Sequence, residues 1–535
     1  MLNLNATCFA LQKEWRERGV EIPTFDYATM IAQTVAAPTW VHFGAGNIFR
    51  GFIAELQQQL LNAGKVNTGI IAVETFDYEI IDRIYTPFDN LALLVALKPD
   101  GTTDKKVVAS IAQGIKADAA GFRRLQEIFT NPSLQLVSFT ITEKGYGLTD
   151  LKGSFLPVVQ ADLESGPCQP QHVMSIITAL FYQRYLAGGL PLALVSMDNC
   201  SHNGAKLQSS ILTIAKAWQD QGYVDEGFLT YLHDEQAVSF PWSMIDKITP
   251  RPSELIEKQL TDLGIAAMTP VITAKKTFIA PFVNAEIPQY LVIEDRFPNG
   301  RPPLESAGVF FTDRDTVNKT ERMKVTTCLN PLHTALAVFG CLLGYTSIAA
   351  EMKDPQLKAL VEKIGYLEGM PVVVDPQIIS PRAFIDEVIN KRLPNPFIPD
   401  TPQRIATDTS QKLAIRFGET IKSYLSREEL DVTKLFFIPL VIAGWCRYLL
   451  GVDDELAPMT LSSDPMLEEL TGIVAGIKVG EPRSYQGQLK VILSNPVLFG
   501  VNLYVAGLGE KIESLFREMI VGKAAVRRTL TKYLS

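Results

Sequence analysis

Residues 39–51 read Thr-Trp-Val-His-Phe-Gly-Ala-Gly-Asn-Ile-Phe-Arg-Gly, and the apolar-periodic run 52–61 follows them. A short buried strand, a Gly-x-Gly turn and a helix in this order are the context of a dinucleotide-binding fingerprint. Gly44 would permit the tight turn, and Gly46 would let the backbone approach a pyrophosphate at the helix N-terminus. Phe49 occupies the position of the usual third glycine. The stretch therefore predicts a nucleotide site, and a structural βαβ unit without a cofactor is the alternative.

The next predicted strand, 69–74, ends in the carboxylate of Glu74. A carboxylate at this point can accept from a ribose 2′-hydroxyl and would repel a 2′-phosphate. The separation from Gly44 is longer than the usual gap of about 20 residues. Phe76, Asp77 and Tyr78 follow where an arginine could have bound a phosphate. The pattern predicts NAD as the cofactor, with NADH preferred over NADPH.

Strand-like and helix-like runs alternate through the first part of the chain, which predicts a mostly parallel, doubly wound sheet. The predicted strands are 40–43, 70–74, 91–97, 107–112, 136–141 and 192–197, with a later strand pair at 277–283 and 290–294. The predicted helices are 48–61, 119–128, 171–186 and 204–219. Beyond about residue 319, apolar residues recur at helical spacing. The sequence therefore predicts a helical lead-in at 1–38, an α/β Rossmann-like domain at 39–318 and an all-α C-terminal domain at 319–535.

Composition excludes several classes of protein. The chain has 535 residues, a formal net charge of −8 and a pI near 5.4, which argue against a nucleic-acid-binding surface. Its six cysteines include no Cys-x-x-Cys pair, which fits a reduced cytoplasm and no structural zinc. No signal core or membrane-length apolar run is evident. We expect a cytoplasmic monomer or small homo-oligomer with no metal, membrane or nucleic-acid partner.

Residues 323–333, Met-Lys-Val-Thr-Thr-Cys-Leu-Asn-Pro-Leu-His, place Lys324, Asn330 and His333 close together before an apolar helix. A lysine whose pKa is lowered by burial can move a proton near neutral pH. An asparagine amide can hold a developing alkoxide, and an imidazole can bind a hydroxyl. Together they form a metal-free set for oxidising an alcohol or reducing a ketone. Pro331 also predicts Asn330 as the N-cap of the following helix.

Polar residues follow two of the predicted strands, at 142–144 and at 198–199. Ligands of open α/β sheets bind at the carboxyl ends of the strands, although each end could be a loop with a helix cap. The predicted cofactor-binding residues are Gly44, Gly46, Asn47, Ile48, Phe49, Arg50, Glu74, Thr142, Glu143 and Lys144. The other four histidines have no ligand-like spacing and are predicted to be structural or at the surface: His42, His172, His202 and His233.

Seven segments in a fixed order resemble the mannitol dehydrogenase family of polyol-specific long-chain dehydrogenases. They are 43–50 (Phe-Gly-Ala-Gly-Asn-Ile-Phe-Arg), 140–146 (Thr-Ile-Thr-Glu-Lys-Gly-Tyr), 198–199 with 203–204 (Asp-Asn and Asn-Gly), 243–250 (Ser-Met-Ile-Asp-Lys-Ile-Thr-Pro), 292–302 (Val-Ile-Glu-Asp-Arg-Phe-Pro-Asn-Gly-Arg-Pro), Lys324 with Asn330 and His333, and 404–412 (Arg-Ile-Ala-Thr-Asp-Thr-Ser-Gln-Lys). The resemblance runs from about residue 39 to the C-terminus. It implies a zinc-independent enzyme with a Rossmann-like domain and a helical domain.

By that resemblance, Lys324 is expected to be the general acid/base, and Asn199 and Asn330 the pair that stabilises an alkoxide. Glu321, three residues before Lys324, resembles a proton-relay carboxylate, and Glu143 is expected to support the relay. The expected substrate-binding residues are Asn199, Asp246, Lys324, His333, Arg404 and Lys412.

Arg404, Asp408 and Lys412 recur every four residues and would share one face of a predicted helix. Such a stripe is usually a solvated salt-bridge ladder, which is the alternative to substrate binding.

The chain departs from the family pattern in two places. The polyol enzymes usually show Lys-x4-Asn-x2-His, whereas this chain has Lys-x5-Asn-x2-His, with one more residue between Lys324 and Asn330. The common Val-Asp-Arg appears here as Ile-Asp-Lys at 245–247.

The lead-in and the variant Thr-Thr-Cys-Leu-Asn-Pro at 326–331 look more like mannonate oxidoreductases than mannitol dehydrogenases. The resemblance therefore implies an NAD-dependent, reversible reduction of D-fructuronate to D-mannonate. A tagaturonate reductase and a hexitol (mannitol or arabinitol) 2-dehydrogenase are the alternatives within the family. A non-catalytic nucleotide-binding sensor is the alternative from another class, because a fold does not fix a function.

Overall fold

The computed structural model describes residues 1–150 and 152–535, which form two compact units. The first unit contains 1–98 and 102–318, and the second contains 99–101 and 319–535. The strands are β1 (Val20–Glu21), β2 (Trp40–Phe43), β3 (Ile70–Glu74), β4 (Ala92–Leu97), β5 (Thr103–Val108), β6 (Ile111–Lys116), β7 (Leu136–Phe139), β8 (Leu192–Ser196), β9 (Val238–Ser239), β10 (Ser243–Asp246), β11 (Val271–Ile272), β12 (Phe278–Ile279), β13 (Phe282–Glu286), β14 (Tyr290–Glu294) and β15 (Phe310–Thr312).

The first unit also contains α-helices. Its α-helices are α1 (Gln12–Glu17), α2 (Tyr27–Ala36), α3 (Ala54–Asn62), α4 (Ala119–Phe129), α5 (Thr142–Tyr146), α6 (Pro157–Ser165), α7 (Val173–Leu186), α8 (Asn203–Asp220), α9 (Glu226–His233) and α10 (Glu254–Asp262). The helical run α11 (Arg314–Met323) begins before residue 319. The predicted helices 119–128, 171–186 and 204–219 correspond to α4, α7 and α8.

Six parallel strands form the main sheet of the first unit, in the order β6-β3-β2-β7-β8-β9. Numbered among themselves along the chain, these strands run 3-2-1-4-5-6, which is the Rossmann order. Alternate residues enter two different cores, with Val41 and Phe43 in one and Trp40 in the other. Both faces are therefore covered, which explains the nearly continuous apolar strands. The predicted doubly wound sheet is confirmed, and the order reverses between β2 and β7.

Two predictions about strands are wrong. The single strand predicted at 107–112 is two strands in different sheets, because the chain breaks at Ala109–Ser110. There the Ala109 N–H donates to the Gln58 side chain at 2.6 Å and the Ser110 hydroxyl donates to the Ala54 carbonyl, so side chains and backbone of α3 replace ladder bonds. The expected later pair is not a pair either, since β13 pairs with β4, whereas β14 lies between β10 and β15.

Smaller sheets complete the first unit. Their orders are β1-β5-β4-β13, β10-β14-β15 and β11-β12. Residues 1–38 contribute α1, β1 and α2, and β1 pairs in parallel with β5. The lead-in is thus built into a sheet of the first unit.

The elements of the second unit are helices, and isolated β-bridges join Val452 to Pro458 and Lys478 to Glu481. Its α-helices after α11 are α12 (Asn330–Leu342), α13 (Ile348–Glu351), α14 (Pro355–Glu362), α15 (Pro381–Glu387), α16 (Pro402–Ile405), α17 (Thr409–Leu413), α18 (Glu419–Ser426), α19 (Phe437–Tyr448), α20 (Leu467–Val474), α21 (Leu489–Leu493), α22 (Pro496–Phe499), α23 (Gly509–Met519) and α24 (Ala525–Leu534). The almost wholly apolar α12 and α19 are its central helices, and they pack against each other.

Several helices contain π-helical turns, in which each N–H bonds to the carbonyl five residues earlier. These turns are Phe49–Ile53, Ile81–Tyr85, Lys324–Cys328, Lys363–Gly369, Val388–Arg392 and Ala414–Gly418. Such turns hold one residue more than an α-helical turn and often mark functional sites.

The helical run Arg314–Leu342 is long and apolar enough, by length and composition alone, to cross a membrane. The expectation that no run reaches that length is therefore wrong for this segment. Within it, 78% of the most apolar window is buried inside the protein, as in the core helix of a folded domain.

Candidate functional site

The turn after β2 needs glycine for two separate reasons. Gly44 has φ +107°, and a Cβ there would lie 2.1 Å from the Thr140 carbonyl oxygen, so any side chain would clash with β7's continuation. A Cβ on Gly46 would meet nothing within 4 Å, which leaves open space at the point where a phosphate would approach. Gly51 allows the helical run after the turn to pack closely on β13, because a Cβ there would lie 2.7 Å from the Val283 side chain.

Phe49, where the fingerprint normally has glycine, is fully buried and stacks on His42 with ring centroids 4.2 Å apart. The His42 ring nitrogens lie 2.6 Å from the Ser138 hydroxyl and 2.8 Å from the Thr140 hydroxyl. Burial lowers the pKa of His42 to about 3, so this histidine is neutral and structural, as predicted. Phe49 therefore holds the Gly-rich turn against the main sheet through its stacking on His42 of β2.

Arg50 is also buried and holds the turn in shape. Its guanidinium donates to the Asn47 side chain at 2.9 Å and to the Ala280 carbonyl at 2.8 Å. Burial lowers its pKa to about 10, which leaves it charged at neutral pH. Asn47 and Arg50, both predicted to contact the cofactor, thus bond to each other in the described structure.

Glu74 ends β3 and lies beside the same turn. One carboxylate oxygen accepts from the N–H groups of the next three residues at 2.9–3.2 Å, and the other accepts from the Ala45 N–H at 3.1 Å. A carboxylate has about four lone-pair directions, so the second oxygen keeps capacity for one more donor. Glu74 therefore shapes the Gly-rich turn and retains one acceptor position.

The carboxyl ends of β7 and β8 are joined through Asp198. Its carboxylate accepts from the Ile141 and Thr142 N–H groups, both at 2.9 Å, and from the Tyr146 hydroxyl at 2.7 Å. Burial is the main cause that raises the pKa of Asp198. Thr142, at φ +63°, is held in a left-handed conformation by this contact. The next residue, Asn199, is exposed, so Asp198 anchors the loop that presents it.

Thr142, Glu143 and Lys144 are exposed on the short helix α5. Glu143 forms an ion pair with Lys206. Both side chains are largely solvated, and such a pair contributes little to stability. The structure thus gives Glu143 a surface partner within the first unit.

The predicted substrate residue Asp246 is buried at the end of β10, opposite Tyr290 of β14. The following Lys247 donates to the Glu286 carbonyl at 2.8 Å and to the Gln289 side chain at 2.9 Å. Lys247 therefore also ties the end of β10 to the β13–β14 connection.

Lys324 is buried, with 2% of its surface exposed, at the first position of a π-turn. The Leu329 N–H donates to the Lys324 carbonyl at 3.1 Å, across five residues instead of four. This turn takes up the extra residue of Lys-x5-Asn without breaking the helical run. Glu321 lies one turn earlier on α11, three residues from Lys324.

Asn330 is not the N-cap that Pro331 suggested. It is the first residue of α12, and the capping position belongs to Leu329, which makes no side-chain cap bond. The Asn330 carbonyl accepts from the Thr334 hydroxyl at 3.0 Å. Among the described residues, the Asn330 side-chain amide makes no hydrogen bond.

His333 lies one helical turn from Asn330, and its Nε2 is 3.7 Å from a carboxylate oxygen of Asp400. Asp400 is buried and also forms an ion pair with Arg404. Burial lowers the pKa of His333 well below its ordinary value, against the opposing effect of Asp400. The imidazole is therefore neutral at pH 7 and can accept from or donate to a hydroxyl.

The face predicted to be shared by Arg404, Asp408 and Lys412 does not exist. The helix is interrupted between α16 and α17, because Asp408 takes a left-handed conformation at φ +53° and its N–H donates to the Ser463 carbonyl at 2.8 Å. Lys412 donates to the carbonyl of Thr407, and Arg404 is exposed beside Asp400. Both predicted cations are thus engaged by groups of the protein.

Sequence reasoning missed Asp400, Arg416 and the anchoring role of Asp198. Arg416 continues the four-residue spacing beyond Lys412, and its guanidinium donates to the Thr334 hydroxyl at 2.6 Å. The spacing could have identified Arg416, whereas no sequence signal links Asp400 to His333.

Comparison with known proteins adds evidence from outside the chain. Residues 38–306 match the model of the mannitol dehydrogenase Rossmann domain, and residues 316–505 match that of the mannitol dehydrogenase C-terminal domain. The chain is 57% identical to a D-mannonate oxidoreductase of Thermotoga maritima over 99% of this chain and 98% of the relative. It is 28% identical to a D-mannonate oxidoreductase of Escherichia coli, with 88% of this chain and 92% of that protein covered.

A solved structure shows the same architecture. The ternary complex of Pseudomonas fluorescens mannitol 2-dehydrogenase with NAD and D-mannitol superposes with a TM-score of 0.69 at 27% identity, covering 100% of this chain and 99% of that chain. The two domain models together span most of the sequence. The chain therefore belongs to the mannitol dehydrogenase family.

Proposed function

We propose that this chain is a cytoplasmic NAD-dependent oxidoreductase that reversibly reduces D-fructuronate to D-mannonate. The 57% identity to the Thermotoga maritima D-mannonate oxidoreductase, over nearly the whole of both chains, carries the choice of substrate. A sugar acid or polyol as the small-molecule partner fits all the relatives reported above. A monomer or a small homo-oligomer remains our expectation for the assembly.

The residues of the first unit fit a dinucleotide. The Gly44 conformation, the open space above Gly46 and the position at the reversal of strand order between β2 and β7 are the features that a pyrophosphate requires. Glu74 would accept from the adenosine ribose through its second oxygen. Thr142, Glu143 and Lys144 would contact the cofactor from the end of β7. A bound nicotinamide would supply the hydride.

The proposed proton chemistry rests on Lys324. Lys324 is buried, and its ammonium would give its proton to the ketone oxygen as the alcohol forms. Asn330, whose amide makes no hydrogen bond among the described residues, would donate to that oxygen, and Asn199 would do the same. Glu321 would pass a proton between Lys324 and water. The neutral His333 would bind an adjacent substrate hydroxyl.

The test is the rate of NADH consumption with D-fructuronate, D-tagaturonate and D-fructose at matched concentrations. We expect the highest kcat/KM with D-fructuronate, and the reverse reaction with D-mannonate and NAD. The uncharged D-fructose tests the hexitol alternative, for which the Pseudomonas fluorescens relative is the precedent. A higher kcat/KM with D-fructose or D-tagaturonate would reassign the substrate, and no turnover of any ketose or ketouronate would exclude the enzymatic function.

A further inference from the structure

Arg416 makes fewer hydrogen bonds within the described residues than the fully buried arginines Arg184 and Arg447. The Arg184 guanidinium donates to five backbone carbonyls, and that of Arg447 donates to three. Arg416 makes one hydrogen bond, to the Thr334 hydroxyl at 2.6 Å, and no ion pair among the described residues. A guanidinium has five N–H donors, and buried charges are normally paired. Four N–H donors of Arg416 therefore have no partner among the described residues and can bond to water or to a ligand.

The surroundings of Arg416 favour an anion. Burial lowers its pKa to about 10, and no carboxylate opposes that effect, so the side chain stays charged at neutral pH without a counter-charge. The nearby His333 is influenced by three guanidinium groups, those of Arg392, Arg404 and Arg416, against the single carboxylate of Asp400. Asp400 already contacts Arg404 and His333. The carboxylate of Asp400 is therefore engaged by groups other than Arg416.

Arg416 is also tied to the proposed catalytic helix. The Thr334 hydroxyl that accepts from Arg416 itself donates to the Asn330 carbonyl at 3.0 Å. Thr334 directly follows His333 on α12. A ligand that contacts the side chains of Asn330 or His333 is therefore within the neighbourhood that the Arg416 guanidinium can reach. Its unpaired nitrogens are not sealed in the core, because Arg416 is only half-buried.

We infer that Arg416 binds the carboxylate of the sugar-acid substrate and is the residue that separates a ketouronate from an uncharged ketose. The inference rests on the proposed function, and it moves the carboxylate contact away from Arg404 and Lys412, whose cations are engaged by Asp400 and by the Thr407 carbonyl. A planar guanidinium can bind a carboxylate through two parallel hydrogen bonds, which a lysine cannot do. The substrate class expected at Arg416 is a hexuronate or hexonate.

The experiment compares wild type with Arg416→Gln, using D-fructuronate and D-fructose as the two substrates. A charge-assisted contact contributes about 1.5–3 kcal/mol, which corresponds to a 10–150-fold change in affinity. We expect KM for D-fructuronate to rise by about that factor, while KM for D-fructose changes less than threefold. Arg483→Gln is the matched control, because Arg483 is exposed in the same unit, and it should leave both KM values unchanged.

The outcomes separate the two hypotheses. If wild type does not prefer D-fructuronate, the proposed function fails, whatever Arg416 does. If wild type prefers D-fructuronate and Arg416→Gln keeps that preference, the carboxylate is bound elsewhere and the inference is refuted. Should the Gln variant not fold, Arg416→Lys decides: it keeps the charge but loses the two-point contact, so KM must rise more for D-fructuronate than for D-fructose. Equal changes in the two KM values would refute the inference.

Discussion

Glu351 gives a quantitative test of the described structure, because it is a carboxyl group buried without a hydrogen bond. Its side chain is 0% exposed, and neither carboxyl oxygen has a partner among the described residues. It packs against the backbone of α12 so closely that a Cβ on Gly340 would lie 2.2 Å from one of its oxygens. Burial, followed by the nearby Asp354, raises the pKa of Glu351 to about 9. The group is therefore neutral in the folded protein at pH 7.

We predict that Glu351→Gln stabilises the protein increasingly as pH rises. The pKa is about 9 when folded and 4.5 ordinarily, so the folded state keeps a proton that the unfolded state releases. Each pH unit between those values lowers the free energy of unfolding by about 1.4 kcal/mol, which accumulates to roughly 3 kcal/mol at pH 7. Below pH 4.5 the effect is absent, and above pH 9 it no longer grows. Glutamine mimics the neutral form and removes this dependence.

The assay is urea unfolding followed by circular dichroism at pH 5, 6, 7 and 8. The difference in unfolding free energy between variant and wild type should grow by about 1.4 kcal/mol per pH unit. The constant cost of burying an amide shifts all four values together and leaves the slope unchanged. Glu429→Gln, an exposed position in the same unit, should show no such slope. A pH-independent difference for Glu351→Gln would refute the reasoning.

Three further predictions concern the proposed reaction. Lys324→Ala should lower kcat by about 10²–10⁴-fold, while NADH still binds in a fluorescence titration. Lys358→Ala, at an exposed position, should retain the wild-type kcat. A near-normal kcat for Lys324→Ala would exclude Lys324 as the general acid/base. Turnover should survive prolonged dialysis against EDTA, since the described residues contain no group of three or more His, Cys, Asp or Glu side chains able to hold a metal; activity lost to EDTA and restored by zinc would contradict this. NADH should be used in preference to NADPH, and Glu74→Ser should reduce the ratio of kcat/KM with NADH to kcat/KM with NADPH. The same change should weaken the binding of both cofactors, because the Ala45 N–H loses its acceptor. Equal use of NADH and NADPH by wild type would remove Glu74 from the cofactor site.

The strands that the sequence predicted with the right bounds are those whose residues are buried on both faces of the sheet. The bounds of β2 and β3 match the apolar runs 40–43 and 70–74, because a strand covered on both sides is apolar along its whole length. The break at Ala109–Ser110 was not predictable in the same way, since the interrupting bonds come from α3, about fifty residues away. Local pattern carries no information on a partner at that distance.

The candidate site was predictable in its residue types and less so in its contacts. Lys324, Asn330 and His333 lie on one helical run, whereas the sequence predicted Lys324 to precede the helix and Asn330 to cap it. The interruption at Asp408 was not visible, because Arg404, Asp408 and Lys412 fit a regular helix equally well. Which cation is engaged within the protein depends on Asp400 and on the Thr407 carbonyl, and those contacts exist only in three dimensions.

The π-turn at Lys324–Cys328 has a consequence for how this chain is aligned with its relatives. A relative with the Lys-x4-Asn of the family pattern would have one residue fewer between the lysine and the asparagine, so an alignment that pairs both residues must open a one-residue gap inside this helical run, within 325–329. Alignment procedures that confine gaps to loops would move that gap away from the turn. Such an alignment would pair Lys324 with the residue next to the lysine of the relative. The lysine would then be scored as absent from this chain, although Lys324 is present in the helix.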